Sequence, residues 1–368
     1  MTLHLKAETE DAGTRLDAFV AFHANGLTRS QAARYIEEGR VSVDGKPAAK
    51  SCRITGGEAV TVDVPEVRDT ALTAQDILSA LSGGEGMAVK VFWRLRLPRT
   101  LAAMVSGMAL GVCGAVYQIL FANPLAAPDI MGVSGGATLG AAMAIVWGNT
   151  AFSAPAAFLG GMAALAGSLL LTRASGSRGT GAMVLSGVLI SALMKMGVML
   201  LKTFADTEGE LAAIEFFTMG SFADITAAAL PALLSAAALG LALLTLMHRQ
   251  IGLLSLPDDE AQALGVSAGV MRALVLAAAT LPAAAVSASA GVVAFLPLIA
   301  PHGARLLLRG RTKGLLPLSA LTGGVLLLLA DIAARLAPGA ELPVSVLTTM
   351  LGVPCVAILM AKGGKRRG

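Results

Sequence analysis

Residues 96–140 read RLPRTLAAMVSGMALGVCGAVYQILFANPLAAPDIMGVSGGATLG, and this stretch decides the fold. It carries no charge from Thr100 to Pro128, which is enough chain to cross about 30 Å of hydrocarbon as a helix. Small residues recur in it at helical spacing: Gly107, Gly111 and Gly114, then Gly132, Gly136 and Gly140. Such spacing allows the close backbone approach by which helices associate in lipid. The stretch therefore predicts tightly packed membrane helices.

The composition extends this prediction to most of the chain. Of the 368 residues, 55% are hydrophobic and 14% are charged, whereas soluble domains carry about 25% charged residues. The predicted fold is an all-α polytopic membrane helix bundle of about nine spans with a small N-terminal α+β domain. The expected spans are residues 99–120, 131–148, 153–171, 181–203, 227–247, 273–289, 290–308, 315–336 and 343–361.

The distribution of charge divides the chain into three segments. Residues 1–66 are mixed in charge and form the small domain, residues 67–95 are a polar connector, and residues 96–364 hold the spans. In the first segment, Asp44-Gly45 predicts a tight hairpin turn between two short strands. Gly39 is expected to end a short helix.

The placement of lysine and arginine predicts the orientation in the membrane. Basic clusters around Arg309 and Arg366 are separated by two spans, so both should face the cytoplasm. The alternation of loops then places the Asn123-Pro124 break inside and the start of the first span outside. Two features conflict with this scheme, because the basic residues around Arg96 and the whole N-terminal domain would also lie outside.

No catalytic constellation is apparent in the sequence. The spans bring together no nucleophile–base pair or metal-ligand set, and Cys52, Cys113 and Cys355 are far apart. The phosphate-binding pattern G-x-x-x-x-G-K-[ST] is absent, so ATP hydrolysis would require another subunit. We therefore expect no catalytic residue, cofactor or metal site, and an intramembrane enzyme is disfavoured.

The loop LLSLPDDEAQALGVSAGVMR, residues 253–272, predicts a short helix with acidic residues at its start and Gly265 at its end. Two interpretations remain open on the residues alone. The helix is either an ordinary loop helix or a rigid knob that fits the groove of a partner.

Residues 1–66 resemble the alpha-L RNA-binding domain of ribosomal small-subunit protein four, in the version that precedes large-subunit-rRNA pseudouridine synthases. The matching residues are Arg15-Leu16-Asp17, Thr28-Arg29-Ser30, Ile36-Glu37-Glu38-Gly39, Val41, Val43, Gly45-Lys46 and Gly57. The resemblance implies RNA as a partner, with Arg29 and Arg34 as contact candidates. A solvated helix face is the alternative, since these residues hold no basic excess. The synthase catalytic domain is absent, which excludes pseudouridylation.

Residues 74–364 resemble the FecCD-type permeases of ABC importers, which carry iron-siderophores, haem or cobalamin. The resemblance rests on four signatures: residues 96–140, DEAQALGVS (259–267), GVVAFLPLIAPHGARLL (291–307) and LLPLSALTGGVLLLLADIAARLAPGAELPVSVLTTMLGVP (315–354). It implies a multi-pass permease of the bacterial cytoplasmic membrane that imports iron or cobalamin chelates. The implied partners are a second permease subunit, identical or different, an ABC ATPase dimer and an extracytoplasmic substrate-binding protein, with lipid around them.

The resemblance also implies roles for three groups of residues. Arg96, Arg99 and Arg335 match outward-facing arginines that dock the binding protein, and helix-end snorkelling is the alternative. Asp259, Glu260, Ala261, Leu264, Gly265 and Val266 match the segment that couples to the ATPase. Asn123, Leu125 and Thr180 match positions near the cytoplasmic gate.

The chain also departs from the family pattern. Pro297 and Ser345 stand where glycine is usual, and Pro297 is expected to bend a helix. The first of the family's ten spans is missing, and the RNA-binding-like domain takes its place. The alternatives to a working permease are therefore a non-functional gene fusion and a membrane-tethered RNA-binding protein.

Overall fold

The computed structural model describes residues 2–7, 11, 13–23, 36, 39–48, 52–63, 74–84, 86–176, 179–206, 209–256, 258–265, 267–309, 313–336 and 341–364. The chain divides into two compact units, Met1–Ala74 and Gln75–Gly368.

The first unit is a small α+β fold. Its elements are β1 (Thr2–Lys6), α1 (Leu16–His23), β2 (Val41–Val43), β3 (Lys46–Pro47) and β4 (Ala59–Asp63). The strands form an antiparallel sheet in the order β1-β4-β2-β3. Asp44 and Gly45 both have positive φ, 49° and 77°, which is the backbone of a two-residue hairpin turn. The predicted hairpin is confirmed, while most of the helix expected before Gly39 lies outside the described residues.

Leu16, Phe19 and Val20 of α1 pack on Val60 and Val62 of β4 to form a core of its own within this unit. Each of these side chains is at most 1% exposed. The alternation of buried Val60 and Val62 along β4 is typical of a strand with one face on a core.

The described part of the second unit is helical. Its helices are α2 (Ala74–Leu81), α3 (Met87–Val91), α4 (Leu97–Leu120), α5 (Val133–Val146), α6 (Ser153–Ala174), α7 (Thr180–Phe204), α8 (Glu210–Met219), α9 (Leu230–Leu246), α10 (His248–Leu253), α11 (Asp258–Ala263), α12 (Ala268–Ala290), α13 (Leu296–Leu308), α14 (Leu315–Arg335) and α15 (Val344–Gly364). A π-helical turn, Phe92–Arg96, joins α3 to α4.

Glycines bring two helix pairs into backbone contact, as the 96–140 stretch predicts. A Cβ atom built on Gly107 of α4 would lie 2.3 Å from the carbonyl oxygen of Gly323 in α14. A Cβ atom on Gly140 of α5 would lie 2.1 Å from the carbonyl oxygen of Ala156 in α6. Any larger side chain at these positions would force the helices apart, so the glycines set the packing distance.

Five stretches in the described part of the chain are long and apolar enough to cross a membrane: Met87–Leu120, Thr150–Ala174, Thr180–Phe204, Ala268–Ala290 and Leu315–Arg335. Four further apolar helices are shorter, Val133–Val146, Leu230–Leu246, Leu296–Leu308 and Val344–Ala357. The first stretch begins at Met87, so the helix starts before the expected boundary at residue 96. The prediction placed this part in the connector because Lys90, Arg94 and Arg96 make it polar.

The acidic loop expected between the spans 181–203 and 227–247 contains a helix, α8, which the prediction missed. Lys202 Nζ of α7 lies 2.7 Å from Glu215 Oε1 of α8. This hydrogen bond holds the pKa of the Glu215 carboxyl below its usual range. A carboxylate with a lowered pKa keeps its bridge until the pH falls through that lowered value, so the link between α7 and α8 persists into mildly acidic conditions.

The expected span 290–308 is wrong at its start, because the chain between α12 and α13 is not helical. Gly291 and Phe295 have positive φ, 73° and 60°, and end one helix before the next begins. Pro297 lies in the first turn of α13, where its missing N–H removes no helical hydrogen bond. The expectation that Pro297 bends a continuous helix is therefore also wrong.

Ser345 stabilises this break. Its Oγ atom donates to the carbonyl oxygen of Val292 at 2.5 Å and accepts the N–H of Ala294 at 3.2 Å. Both groups belong to the non-helical chain, and backbone polar groups left without partners at membrane depth cost several kcal/mol. The serine thus gives two irregular backbone groups the hydrogen bonds that a glycine could not supply.

Candidate functional site

Two of the three predicted docking arginines meet in an ion-pair cluster, which we name the Asp331 cluster: Arg99, Asp331, Arg335 and Glu341. Arg99 Nη2 and Nε lie 2.8 and 3.0 Å from Asp331 Oδ1. Arg99 Nη1 lies 2.9 and 3.0 Å from the two carboxylate oxygens of Glu341. Arg335 Nη2 lies 3.0 Å from Asp331 Oδ2. The cluster joins α4, α14 and the segment before α15.

Burial differs sharply across the Asp331 cluster. The side chain of Asp331 is 0% exposed and that of Arg99 is 10% exposed, whereas Arg335 is 22% and Glu341 is 45% exposed. A buried carboxylate is tolerated only where cations and hydrogen bonds compensate it. The two arginines therefore neutralise Asp331, and the accessible part of the cluster consists of Arg335 and Glu341.

The other predicted docking residue, Arg96, lies in the π-helical turn before α4 and is partly exposed. It is one helical turn from Arg99, which places both residues at the same end of the helix. Of the three arginines, Arg99 differs from the expectation of an outward-facing contact, because its guanidinium already binds two carboxylates of its own chain.

The predicted coupling segment contains the short helix that the sequence indicates. Helix α11 begins at Asp258, and Gly265 ends the segment with φ 84°. Ala261 faces the interior and is 1% exposed, whereas Leu264 is 59% exposed. Asp259, Glu260 and Gly265 are exposed as well, and Val266 lies outside the described residues. The segment thus presents an apolar side chain and two acids to the exterior.

A buried arginine fixes this segment to the bundle. Arg272 of α12 is 5% exposed, and its Nη1 and Nη2 atoms lie 2.9 and 2.6 Å from the two carboxylate oxygens of Asp258. Bidentate pairs of this kind fix orientation as well as distance. The sequence analysis did not predict this contact.

The predicted gate residues lie on two elements. Asn123 Oδ1 accepts the N–H of Leu125 at 2.9 Å, which is the local turn that asparagine favours. Thr180 is the first residue of α7 and is partly exposed. The structure thus joins Asn123 and Leu125 in one turn and places Thr180 at the end of a span.

Two further sets of residues concern the N-terminal unit and helix α7. The RNA-contact candidates Arg29 and Arg34 lie outside the described residues. Lys195, the only charged residue between Thr180 and Leu201, was not among the predicted site residues. Its position inside an apolar span was a signal for function, since charged residues within membranes are costly.

Family comparisons agree with both resemblances. The FecCD transport family matches residues 66–362, and the S4 domain matches residues 14–60. The chain therefore belongs to the FecCD transport family. It is an ABC transporter permease subunit and an integral membrane protein, and such permeases leave ATP hydrolysis to a separate subunit.

Individual relatives extend over most of the chain. The vitamin B12 import system permease protein BtuC of Escherichia coli is 35% identical over 290 residues, which cover 74% of this chain and 84% of that protein. The molybdate import system permease protein MolB of Haemophilus influenzae is 34% identical over 274 residues, covering 74% and 81%. An inward-facing structure assigned to a metal-chelate type ABC transporter matches with a TM-score of 0.69 and 32% identity over 79% of this chain and 97% of that one.

Proposed function

We propose that this protein is the membrane-spanning half of an ATP-driven importer for a metal chelate of the iron-siderophore, haem or cobalamin type. The observation that carries the proposal is the exposed segment 258–265, which Arg272 anchors to the bundle. An anchored, exposed helix gives a separate ATPase subunit a surface through which it can move the bundle. Relatives that import vitamin B12 and molybdate widen the range of cargo to oxyanions.

The same proposal assigns the architecture and the partners. The five long apolar stretches and the four shorter helices together make up nine spans in a bacterial cytoplasmic membrane. Residues 1–66 form the RNA-binding-like domain, residues 67–95 the connector and residues 96–364 the permease domain. The partners are a second permease subunit, an ABC ATPase dimer and an extracytoplasmic binding protein. The apolar side chains exposed along α7, among them Leu189 and Met199, face that second subunit or lipid.

Asn123, Leu125 and Thr180 are proposed to lie at the cytoplasmic gate. Asn123 and Leu125 form one rigid turn after α4, and Thr180 begins the span that exposes most of its length. Movement of α7 against this turn would open and close the path between two permease subunits.

Replacing Leu264 with glutamate is expected to uncouple the transporter. Leu264 is exposed and Ala261 carries the packing of the segment, so the substitution should leave the fold intact and add a charge to a partner's apolar groove. We expect cargo-stimulated ATPase activity of the assembled transporter to fall at least about tenfold, which corresponds to about 1.4 kcal/mol. Leu81→Glu, at an equally exposed leucine of α2, is the matched control. Unchanged coupling in Leu264→Glu would refute the assignment.

Docking of the binding protein is best tested at Arg96. Reversing Arg99 or Arg335 would also break the buried pairs with Asp331. Arg96 is not part of the Asp331 cluster and is partly exposed. We expect Arg96→Glu to weaken capture of the acidic binding protein several-fold at low salt and less at high salt, because an exposed charge mainly steers association. Lys313→Glu is the control. Lys313 precedes the N-terminal end of α14, whereas the Asp331 cluster lies at its C-terminal end. Equal capture by wild type and Arg96→Glu would remove the docking assignment.

The RNA interpretation of the N-terminal unit stays a prediction. The S4 match supports the resemblance, and Arg29 and Arg34 are its contact candidates. The proposed orientation, however, places this unit on the side of the membrane opposite to the cell's RNA. Accessibility of an N-terminal tag in intact cells distinguishes the proposed orientation from a membrane-tethered RNA-binding protein. The RNA-binding protein requires the N-terminal unit to lie in the cytoplasm.

A further inference from the structure

An open cavity beside α7 in the second unit is lined by two residues of opposite charge, Asp129 and Lys195. The cavity encloses about 320 Å³ and is lined by Asp129, Ile130, Val188, Ser191, Ala192 and Lys195. Lys195 is exposed in it, although it lies in a helix long and apolar enough to span a membrane. A charged residue inside a span is retained where it faces a polar cavity and serves a pathway or a partner.

The geometry of the cavity is fixed by the backbone. The 3₁₀ turn Pro128–Met131 packs so tightly on α7 that a Cβ atom on Gly187 would lie 2.0 Å from the carbonyl oxygen of Ile130. Ser191 Oγ donates to the carbonyl oxygens of Gly187 at 2.8 Å and of Asp129 at 3.3 Å. Asp129 is therefore fixed beside α7 one turn from Lys195.

The carboxylate of Asp129 is also oriented. Ser134, in the first turn of α5, donates its hydroxyl to Asp129 Oδ1. A lysine ammonium has three donors on a flexible stem, whereas this carboxylate is held by its neighbours. The mobile charge in the cavity is therefore the cation, and Lys195 is the group that can reach a bound ligand.

The cavity lies beside the same helix, α7, that carries a proposed gate residue. Lys195 is fifteen residues from the proposed gate residue Thr180 on the same helix, a rise of about 22 Å. The two positions are about 60° apart around the helix axis, so they lie on neighbouring parts of one face.

We propose that this cavity is an anion-binding subsite for the cargo, in which Lys195 binds a carboxylate or oxyanion of the transported complex. The proposal rests on the proposed transport function and names the chemical class of the cargo: a metal complex or oxyanion with net negative charge. The binding is electrostatic, and no covalent bond is made or broken.

The test measures the charge preference of the cavity in the purified full-length chain. Cys52, Cys113 and Cys355 are replaced by serine, and Ala192→Cys places one thiol in the cavity. The ratio of labelling rates with an anionic and a cationic methanethiosulfonate reagent is then recorded. Lys195→Gln should lower this ratio about fivefold, Asp129→Asn should raise it, and Lys195→Arg should preserve it, because one nearby charge acts oppositely on the two reagents. A ratio that is the same in all four proteins would overturn the proposal.

Protection of the same thiol identifies the anion. Ferric citrate and molybdate represent the carboxylate chelate and the inorganic oxyanion, and uncharged ferrichrome is the control. Slower labelling with either anion, lost in Lys195→Gln, supports the subsite and shows which chemistry it takes. Protection by ferrichrome equal to that by the anions, or protection by none of the three, would overturn it. The labelling needs no transport, so a failure here leaves the importer assignment standing, and a failure of uptake leaves the labelling result intact.

Discussion

Replacing Asp331 with alanine is expected to destabilise the permease unit by about 3–5 kcal/mol, because two arginines would lose the carboxylate that compensates them. Asp331 is 0% exposed and pairs with Arg99 on one oxygen and Arg335 on the other. The loss should appear as a lower free energy of unfolding in a denaturant titration of the purified protein in detergent. Arg99, whose side chain is only 10% exposed, would keep only the half-exposed carboxylate of Glu341.

Two further variants make this experiment specific. Glu341→Gln removes a half-exposed carboxylate from the same cluster, and a partly solvated pair of this kind should cost only about 0–1 kcal/mol. The double variant Arg99→Ala/Asp331→Ala should lose less than the sum of its single variants, by about 0.5–3 kcal/mol. An Asp331→Ala protein within about 0.5 kcal/mol of wild type would show that the cluster does not hold α4 against α14.

The second large effect is expected at Gly107, where one added methyl group should destabilise the bundle by about 1–3 kcal/mol or more. The new Cβ atom would lie 2.3 Å from the carbonyl oxygen of Gly323 and 2.8 Å from Leu327 Cβ. Since backbone cannot move aside as a flexible side chain can, α4 and α14 must separate. Thermal unfolding followed by size-exclusion chromatography should show a lower Tm for Gly107→Ala.

The matched control for this prediction is Gly181→Ala. Gly181 lies in the first turn of α7, and an added Cβ atom meets nothing within 4 Å. Alanine there should be neutral or slightly stabilising, because a glycine inside a helix makes the helix less stable than an alanine does by about 0.5–1 kcal/mol. If Gly107→Ala and Gly181→Ala lowered the Tm equally, the close backbone approach of α4 and α14 would not depend on Gly107.

Local patterns in the sequence predicted much of this fold. The glycine spacing in residues 96–140 indicated the close helix packing that Gly107 and Gly140 make. Acids followed by Gly265 indicated the short helix α11, and Asp44-Gly45 indicated the hairpin turn. Each of these signals lies within a few residues of the structure it specifies, because helix ends and tight turns depend on local backbone preferences.

Contacts between distant parts of the chain could not be predicted in the same way. Arg99 meets Asp331 and Glu341 across separations of 232 and 242 residues, and nothing in the residues around Arg99 identifies those partners. The break at residues 291–295 depends on Ser345, which lies on another helix. Lys195 was recognisable as an isolated charge in an apolar run, but the presence of Asp129 in the same cavity depends on the packing of the 3₁₀ turn on α7.

The importer assignment is tested most directly by uptake into proteoliposomes that contain this full-length chain with its ABC ATPase and binding protein. Radiolabelled ferrichrome, ferric citrate, cobalamin and molybdate would be supplied outside, with ATP or a non-hydrolysable analogue inside. At least one of the four should accumulate only with ATP, and Leu264→Glu should abolish this accumulation. An assembled complex that hydrolyses ATP and accumulates none of them would contradict the importer assignment.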